Sequence, residues 1–187
     1  MANFATAMVF RAENTTPFRC GQRVTLRKDM LPGEFSDEDF VRALAGSGAR
    51  ALLIGRKALV LLGAPVLTAD YDLWLHFDDI EKLNAAFAPL DHEPNRSPEE
   101  ARRAGRYVLE NGEHIDVMVA RAKTDAAGRT LDFDSAWQRR QTIPVAPGVA
   151  VHLPSVDDLI TTKRWASRPR DLIDIQYLEQ LRRRSPP

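Results

Sequence analysis

The chain has 187 residues, of which 44% are hydrophobic and 28% charged, and this is room for one ordinary domain with a packed core. The composition excludes a fibrous repeat and a chain that is disordered throughout. Because 26 basic residues balance 26 acidic ones, no overall charge attracts nucleic acid or an anionic membrane, so a polyanionic partner would need a local site.

A single cysteine, Cys20, excludes an internal disulfide and a cysteine-based structural zinc site. Residues 1–10 lack the basic start and the long apolar stretch of a signal peptide. No run of the chain approaches the roughly 18 apolar residues that a membrane span needs. We therefore expect a protein of the reducing cytoplasm without a membrane partner.

We divide the chain into an N-terminal arm, residues 1–33, and one domain over residues 34–187. The arm mixes proline, glycine and scattered charges, and its structure is not predicted by this pattern. In the domain, Ser36 followed by acidic residues predicts a capped helix over about 36–46. The apolar run Ala51–Ile54 then predicts a buried strand.

The strict alternation of residues 70–77 predicts a strand with Asp70 and Asp72 on one face. Two strand-like runs, 106–110 and 113–119, flank the tight-turn dipeptide Asn111-Gly112, so they predict a hairpin. The remaining elements are expected as follows: helices over about 56–62, from Asp78 or Asp79 to Phe87, from Ser155 to near Ser167, and over 171–184; a partly exposed loop over 91–105; short strands or loop over 136–142 and 148–153.

The acidic residues of these strands suggest a cation site. Asp70 and Asp72 project from the same face about 6.5 to 7 Å apart, close enough to hold one or two divalent cations. Asp116 lies in the second strand of the hairpin, and the three carboxylates converge if that strand pairs near the first. Mg²⁺ prefers oxygen ligands and keeps open positions for phosphates, which suits nucleotidyl transfer. Taken alone, Asp-x-Asp is also typical of an exposed polar face at a sheet edge.

The order of motifs narrows these alternatives. Thr68-x-Asp-x-Asp-Leu is followed by the Asp116 strand, then by Leu159-Ile-x-x-Lys163 and Arg168-Pro-x-Asp-Leu-x-Asp174. Over about residues 50–180 this succession resembles the minimal nucleotidyltransferases of the DNA polymerase beta superfold, and it is similar to abortive-infection, toxin-type bacterial members. The resemblance implies an α+β fold, a nucleotidyltransferase-like mixed β-sheet with helices packed on one side.

The resemblance also implies an activity and a set of site residues. Asp70, Asp72 and Asp116 would be catalytic and would bind Mg²⁺ or Mn²⁺, while Gly55, Arg56 and Lys163 would bind a nucleoside triphosphate. The nucleoside monophosphate would pass to an acceptor hydroxyl of an RNA end, a protein or a small molecule. A toxin-like role would bring an antitoxin protein as a partner.

This chain departs from the family at one position. The family has Gly-Gly or Gly-Ser at the phosphate turn, whereas this chain has Gly55-Arg56. The Arg56 guanidinium could grip a phosphate, or its bulk could close the turn. The second case predicts a catalytically degenerate binding or regulatory protein. A third class, a glycosyltransferase that holds a nucleotide sugar through Asp-x-Asp and a metal ion, fits the short chain less well.

Overall fold

A five-stranded mixed sheet organises the domain, seen in a computed structural model that describes residues 35–111, 113–121, 123–124, 128, 130–166 and 168–184. The strand order is β1-β2-β5-β4-β3. Its pairs include both antiparallel and parallel ones, so the sheet is mixed, as expected. Two further pairs, β6 with β7 and β8 with β9, form separate antiparallel ribbons. The arm over residues 1–33 lies outside the described residues, and so does Gly112 of the expected turn.

The strands have the following bounds: β1 Ala51–Ile54, β2 Tyr71–Leu75, β3 Glu93–Pro94, β4 Arg106–Asn111, β5 Glu113–Val119, β6 Lys123–Thr124, β7 Thr130–Leu131, β8 Gln141–Ala146 and β9 Val149–Leu153. The helices are α1 Asp37–Gly46, α2 Gly55–Leu61, α3 Ile80–Phe87, α4 Pro98–Ala104, α5 Phe133–Gln138, α6 Val156–Ala166 and α7 Pro169–Arg184. Of the helices described, none is long and apolar enough to cross a membrane.

Strand β2 lies between an antiparallel neighbour, β1, and a parallel neighbour, β5. Its inward residues Tyr71, Leu73 and Leu75 are buried, as the alternation predicts. The main core packs this face against helices on the same side, which confirms the expected architecture. A smaller cluster on the other face joins Trp74 to Phe133 of α5, so part of that face is covered as well.

The first helix confirms the expected cap. The Ser36 hydroxyl accepts a hydrogen bond from the Asp39 backbone N–H at 3.1 Å, and the Asp39 carboxylate accepts one from the Ser36 N–H at 3.2 Å. Asp37 then turns inward, where its Oδ1 accepts hydrogen bonds from Lys57 of α2 and from the Tyr71 hydroxyl. This buried network ties α1 to the helix and the strand that lead into the carboxylate face.

Two segments differ from the expectation. Residues 91–105, expected as partly exposed loop, contain β3 and α4; Ser97 caps α4 in a capping box with Glu100, and Gly105 ends the helix at φ 72°. Residues 136–138, expected as strand or loop, belong to α5, which Asp132 caps through the Ser135 N–H at 2.9 Å. In both cases a local cap fixes a helix too short to show a clear apolar period.

A buried carboxylate supports the start of β1 and the start of α3. Asp79 is 1% exposed, and its Oδ2 accepts hydrogen bonds from the Arg50 backbone N–H at 3.1 Å and side-chain Nε at 2.7 Å. Lys82 Nζ donates to its Oδ1 at 2.7 Å. Burial alone would raise the pKa of Asp79, but the hydrogen bonds from Lys82 and Arg50 outweigh it and lower the pKa to about 2.

We expect Asp79→Asn to lower the free energy of unfolding by about 2 kcal/mol at pH 7. The pKa of Asp79 is about 2 in the folded protein, against 3.8 for an unperturbed aspartate. The contribution of Asp79 to stability is therefore present above pH 4 and is lost as the pH falls towards 2. Urea unfolding between pH 2.5 and 7 should show that the difference in free energy of unfolding between wild type and variant shrinks as the pH falls. The exposed neighbour Asp78, changed to Asn, is the control, and equal pH slopes for wild type and Asp79→Asn would contradict this account.

Candidate active site

Two carboxylates face each other across the parallel pair of strands. Asp72 of β2 and Asp116 of β5 are partners in the register, so their side chains leave the same face of the sheet on strands about 4.8 Å apart. Asp70 is exposed and lies just before β2. The expected pairing of the two strands is therefore confirmed, and it brings Asp72 and Asp116 together with Asp70 close by.

Asp72 is a largely buried carboxylate with other carboxylates close to it. Burial raises the pKa of Asp72 most, and the charges of Asp116 and Asp70 raise it further, while Lys163 and Arg168 oppose the shift. Within the described part of the chain, no side-chain hydrogen bond or ion pair compensates the carboxylates of Asp70, Asp72 or Asp116. This face therefore carries repulsion that a bound cation would relieve.

Gly55 occupies the point where β1 turns into α2. Ile54 pairs with Asp72 in the register of β1 and β2, so the next residue lies beside the Asp72 carboxylate. Gly55 has φ +66°, and a Cβ built there would lie 1.9 Å from Asp72 Oδ2. A side chain is excluded twice at this position, by the left-handed backbone and by the carboxylate.

The two cationic residues of the predicted site meet at a fourth acidic residue, Asp174, which the prediction did not include. Arg56 Nε lies 3.3 Å and Lys163 Nζ 2.8 Å from the same oxygen, Oδ2 of the buried Asp174. Lys163 is also 3.6 Å from Asp171 Oδ1. In this structure Arg56 therefore rests on α7 instead of lying across the turn, and the approach of Lys163 to a phosphate stays a prediction.

Arg56, Lys163, Arg168, Asp171 and Asp174 together form what we call the Asp174 cluster. Arg168 Nε lies 3.6 Å from Asp171 Oδ2 and forms a local ion pair with it. Sequence reasoning did not place Asp174 in the site. The available signal was its spacing on α7, because Asp171, Asp174 and Leu178 share the buried stripe and an acid on such a stripe needs a partner.

Aromatic side chains line the part of the carboxylate face next to the acids. Trp74 is 1% exposed and its ring contacts the rings of Phe133 and Trp165, at 5.3 and 5.9 Å between centroids. Tyr71 packs on the opposite face against Phe40. Trp74 and Tyr71 therefore pack against the two faces of the sheet.

The fit of a metal ion depends on the donor set. Among the described residues no three His, Cys, Asp or Glu side chains form a ready cluster of ligands. Mg²⁺, however, is commonly bound by one or two carboxylates together with waters and substrate phosphates. The carboxylates of Asp72 and Asp116 face each other, and no protein cation is bonded to either of them among the described residues. This pair fits that mode of binding. The site does not fit a metal ion that is held by protein ligands alone.

Comparisons with known proteins bear on the fold. No protein-family model matches the chain, and no curated protein sequence does either. Among solved structures, the chain is similar to the crystal structure of a "putative nucleotidyltransferase (TM1012)" from Thermotoga maritima, with a TM-score of 0.50 and 13% identity over 78% of this chain and 88% of that chain. The fold is thus nucleotidyltransferase-like, and this likeness does not extend to a toxin type.

We expect Asp72→Asn to leave the melting temperature without metal unchanged or higher, because it removes one of several repelling charges and breaks no hydrogen bond. The increase in melting temperature on adding Mg²⁺ should become smaller. Asp158→Asn is the control, since Asp158 is buried and bonded to Arg139, and it should lower the melting temperature. A marked fall for Asp72→Asn would show instead that Asp72 supports the fold.

We expect Gly55→Ala to destabilise the protein by clearly more than the roughly 1 to 2 kcal/mol of a left-handed alanine, because its Cβ must also displace Asp72. Gly148→Ala measures the backbone part alone, since Gly148 has φ +74° and open space around its missing Cβ. Chemical unfolding of the two variants would compare these costs. Equal losses would mean that Asp72 moves aside freely.

Proposed function

We propose that the protein is a metal-dependent nucleotidyltransferase that moves a nucleoside monophosphate from a nucleoside triphosphate to an acceptor hydroxyl. The observation that carries the proposal is the in-register pair Asp72 and Asp116 on a nucleotidyltransferase-like sheet, with Asp72 directly beside Gly55. The same fold can host other functions, so the proposal rests on the site and not on the fold alone.

In this proposal Asp70, Asp72 and Asp116 hold Mg²⁺ or Mn²⁺. The bound ions would supply charge that stabilises the attacking and the leaving oxygens. Asp116 orients the acceptor hydroxyl and its carboxylate takes the hydroxyl proton. The acceptor oxygen bonds to the α-phosphorus, the bond from that phosphorus to the bridging oxygen breaks, and pyrophosphate leaves.

The remaining residues of the proposed site favour a triphosphate. Gly55 lets the backbone pass beside Asp72 without a side chain. Lys163 and Arg168 supply positive charge near Asp72, since both oppose the rise in the pKa of Asp72 that burial and the neighbouring acids cause. Arg56, the first side chain after the glycine, adds a guanidinium at the same end of the sheet.

The acceptor and the biological role belong to the same proposal. An RNA end, a protein side chain and a small molecule all offer the hydroxyl that the chemistry needs. The resemblance of residues 50–180 supports a toxin-like enzyme of the bacterial cytoplasm that an antitoxin protein holds in check. Growth arrest on induced expression, abolished by Asp116→Asn, would support that role.

A second candidate is a nucleotidyltransferase-like binding protein without turnover. The observation that favours it is the engagement of both Arg56 and Lys163 by Asp174, which leaves neither cation waiting for a phosphate. This candidate also binds a nucleoside triphosphate but transfers nothing.

Transfer of label separates the two candidates. With Mg²⁺ present, label from at least one of the four α-labelled triphosphates should pass to total RNA, a protein extract or a panel of aminoglycosides and lincosamides, and label from the γ position should not. We expect Asp116→Asn to reduce transfer at least about a hundredfold, in line with the loss of a general base. Binding without transfer would support the second candidate. The absence of both binding and transfer would exclude both candidates.

A further inference from the structure

Arg56 and Lys163 compete for one oxygen atom. Both contact Oδ2 of Asp174, while Oδ1 of that carboxylate is buried and has no hydrogen-bond partner among the described residues. A carboxylate has acceptor sites on both oxygens, so crowding two cations onto one of them leaves capacity unused. One cation is enough to pair the Asp174 carboxylate, so the second cation on the same oxygen is additional.

The two cations are held unequally. Lys163 has a side chain only 9% exposed, a 2.8 Å contact with Asp174 and a second carboxylate, Asp171, at 3.6 Å. Arg56 has a side chain 28% exposed and a single, longer contact of 3.3 Å through Nε. Its two terminal nitrogens have no hydrogen-bond partner in the described part of the chain. Arg56 is therefore the cation that can leave.

The departure of Arg56 would not strand a buried charge. Removing the partner of a buried carboxylate is normally costly, because the remaining charge is uncompensated. Here Lys163 stays on Asp174 Oδ2 when Arg56 moves. The shared oxygen thus allows Arg56 to exchange partners.

The position of Arg56 points to what it would bind. It directly follows Gly55, whose missing side chain would meet Asp72, so the arginine begins at the edge of the carboxylate site. The three cations and two carboxylates of the Asp174 cluster leave one net positive charge there. A guanidinium with free terminal nitrogens is suited to bidentate binding of a phosphate.

We propose that Arg56 is an exchangeable phosphate ligand, which Asp174 holds in the free protein and which passes to the β- or γ-phosphate when a nucleoside triphosphate binds. The inference rests on the proposed function and adds to it a preference among nucleotides. Arg56 makes the site prefer triphosphates to monophosphates, because a monophosphate has no phosphate beyond the α position to receive the guanidinium.

The test is calorimetric titration with the α,β-methylene analogues of the four nucleoside triphosphates, and with the four monophosphates, all with Mg²⁺. We expect Arg56→Ala to raise the triphosphate dissociation constant at least about tenfold, the loss of a hydrogen bond to a charged group. Monophosphate binding should change less than about threefold. Arg56→Gln, which keeps a donor for Asp174 but loses the charge, should behave like Arg56→Ala and serves if the alanine variant does not fold.

Arg164→Ala is the matched control, because Arg164 joins α6 to α7 through Glu179 at 3.2 Å and has a similarly exposed side chain, at 34%. It should leave triphosphate affinity unchanged. Wild-type affinity in both Arg56 variants, or an equal loss in Arg164→Ala, would overturn the inference and leave the proposed function standing. If the wild type binds none of the triphosphate analogues, the proposed function fails and the inference with it.

A purely structural Arg56 would give a different thermal result. In that case Arg56→Ala would lower the melting temperature without nucleotide and leave the rise caused by the triphosphate analogue as in wild type. Under the inference, that rise shrinks in Arg56→Ala and persists in Arg164→Ala, because binding to the folded state is what stabilises it.

Discussion

The parallel pairing of β2 with β5 is the constraint on which the site depends. On one face of this pair, Leu73 meets Val117 in the main core. Because side chains alternate with a period of two, the same register forces Asp72 and Asp116 to face each other on the other side. A slip by one residue would bury the acids and expose the apolar residues, so the core stabilises a pairing that places like charges together.

The Gly55 turn shows how closely the site is built around this pair. Asp72 comes so near the start of α2 that the chain can pass only without a side chain. Glycine takes a positive φ without strain and has no Cβ, so it allows the chain to turn beside Asp72, whose pKa burial and the neighbouring acids raise. Uncompensated charge on a partly buried carboxylate is characteristic of a functional site, and the folded core around it compensates for its cost.

Helix α7 connects this site to the rest of the domain. Its buried stripe carries Asp171 and Asp174 in line with the apolar Leu178, and these acids hold Lys163 of α6 and Arg56 of α2. On the same helix, the Tyr177 hydroxyl donates to the Leu62 carbonyl at 2.8 Å. Ion pairs therefore join the helices that surround the carboxylate site. An anion that binds there can change how these charged groups are paired.

The sequence by itself determined the elements that short-range patterns encode. The alternation around Asp72, the hairpin that carries Asp116 and the cap at Ser36 all depend on neighbours within a few residues, and the structure has each of them. Helix α4 carries its own signal in the Ser97 capping box, although the polar composition of that segment favoured a loop. Local chemistry was sufficient in these cases because the interactions that decide them are local.

Only the tertiary structure decided the partners of the site residues. Arg56 and Asp174 are 118 positions apart, and no periodicity relates residues at that separation. Lys163 is polar in the sequence and therefore expected at the surface or on a phosphate, yet it is buried because α7 packs against α6 and brings two acids to it. The sequence supplied the acids and the cations, and the packing of α7 on α2 and α6 chose which of them meet, because burial forces every charge on those faces to find a partner.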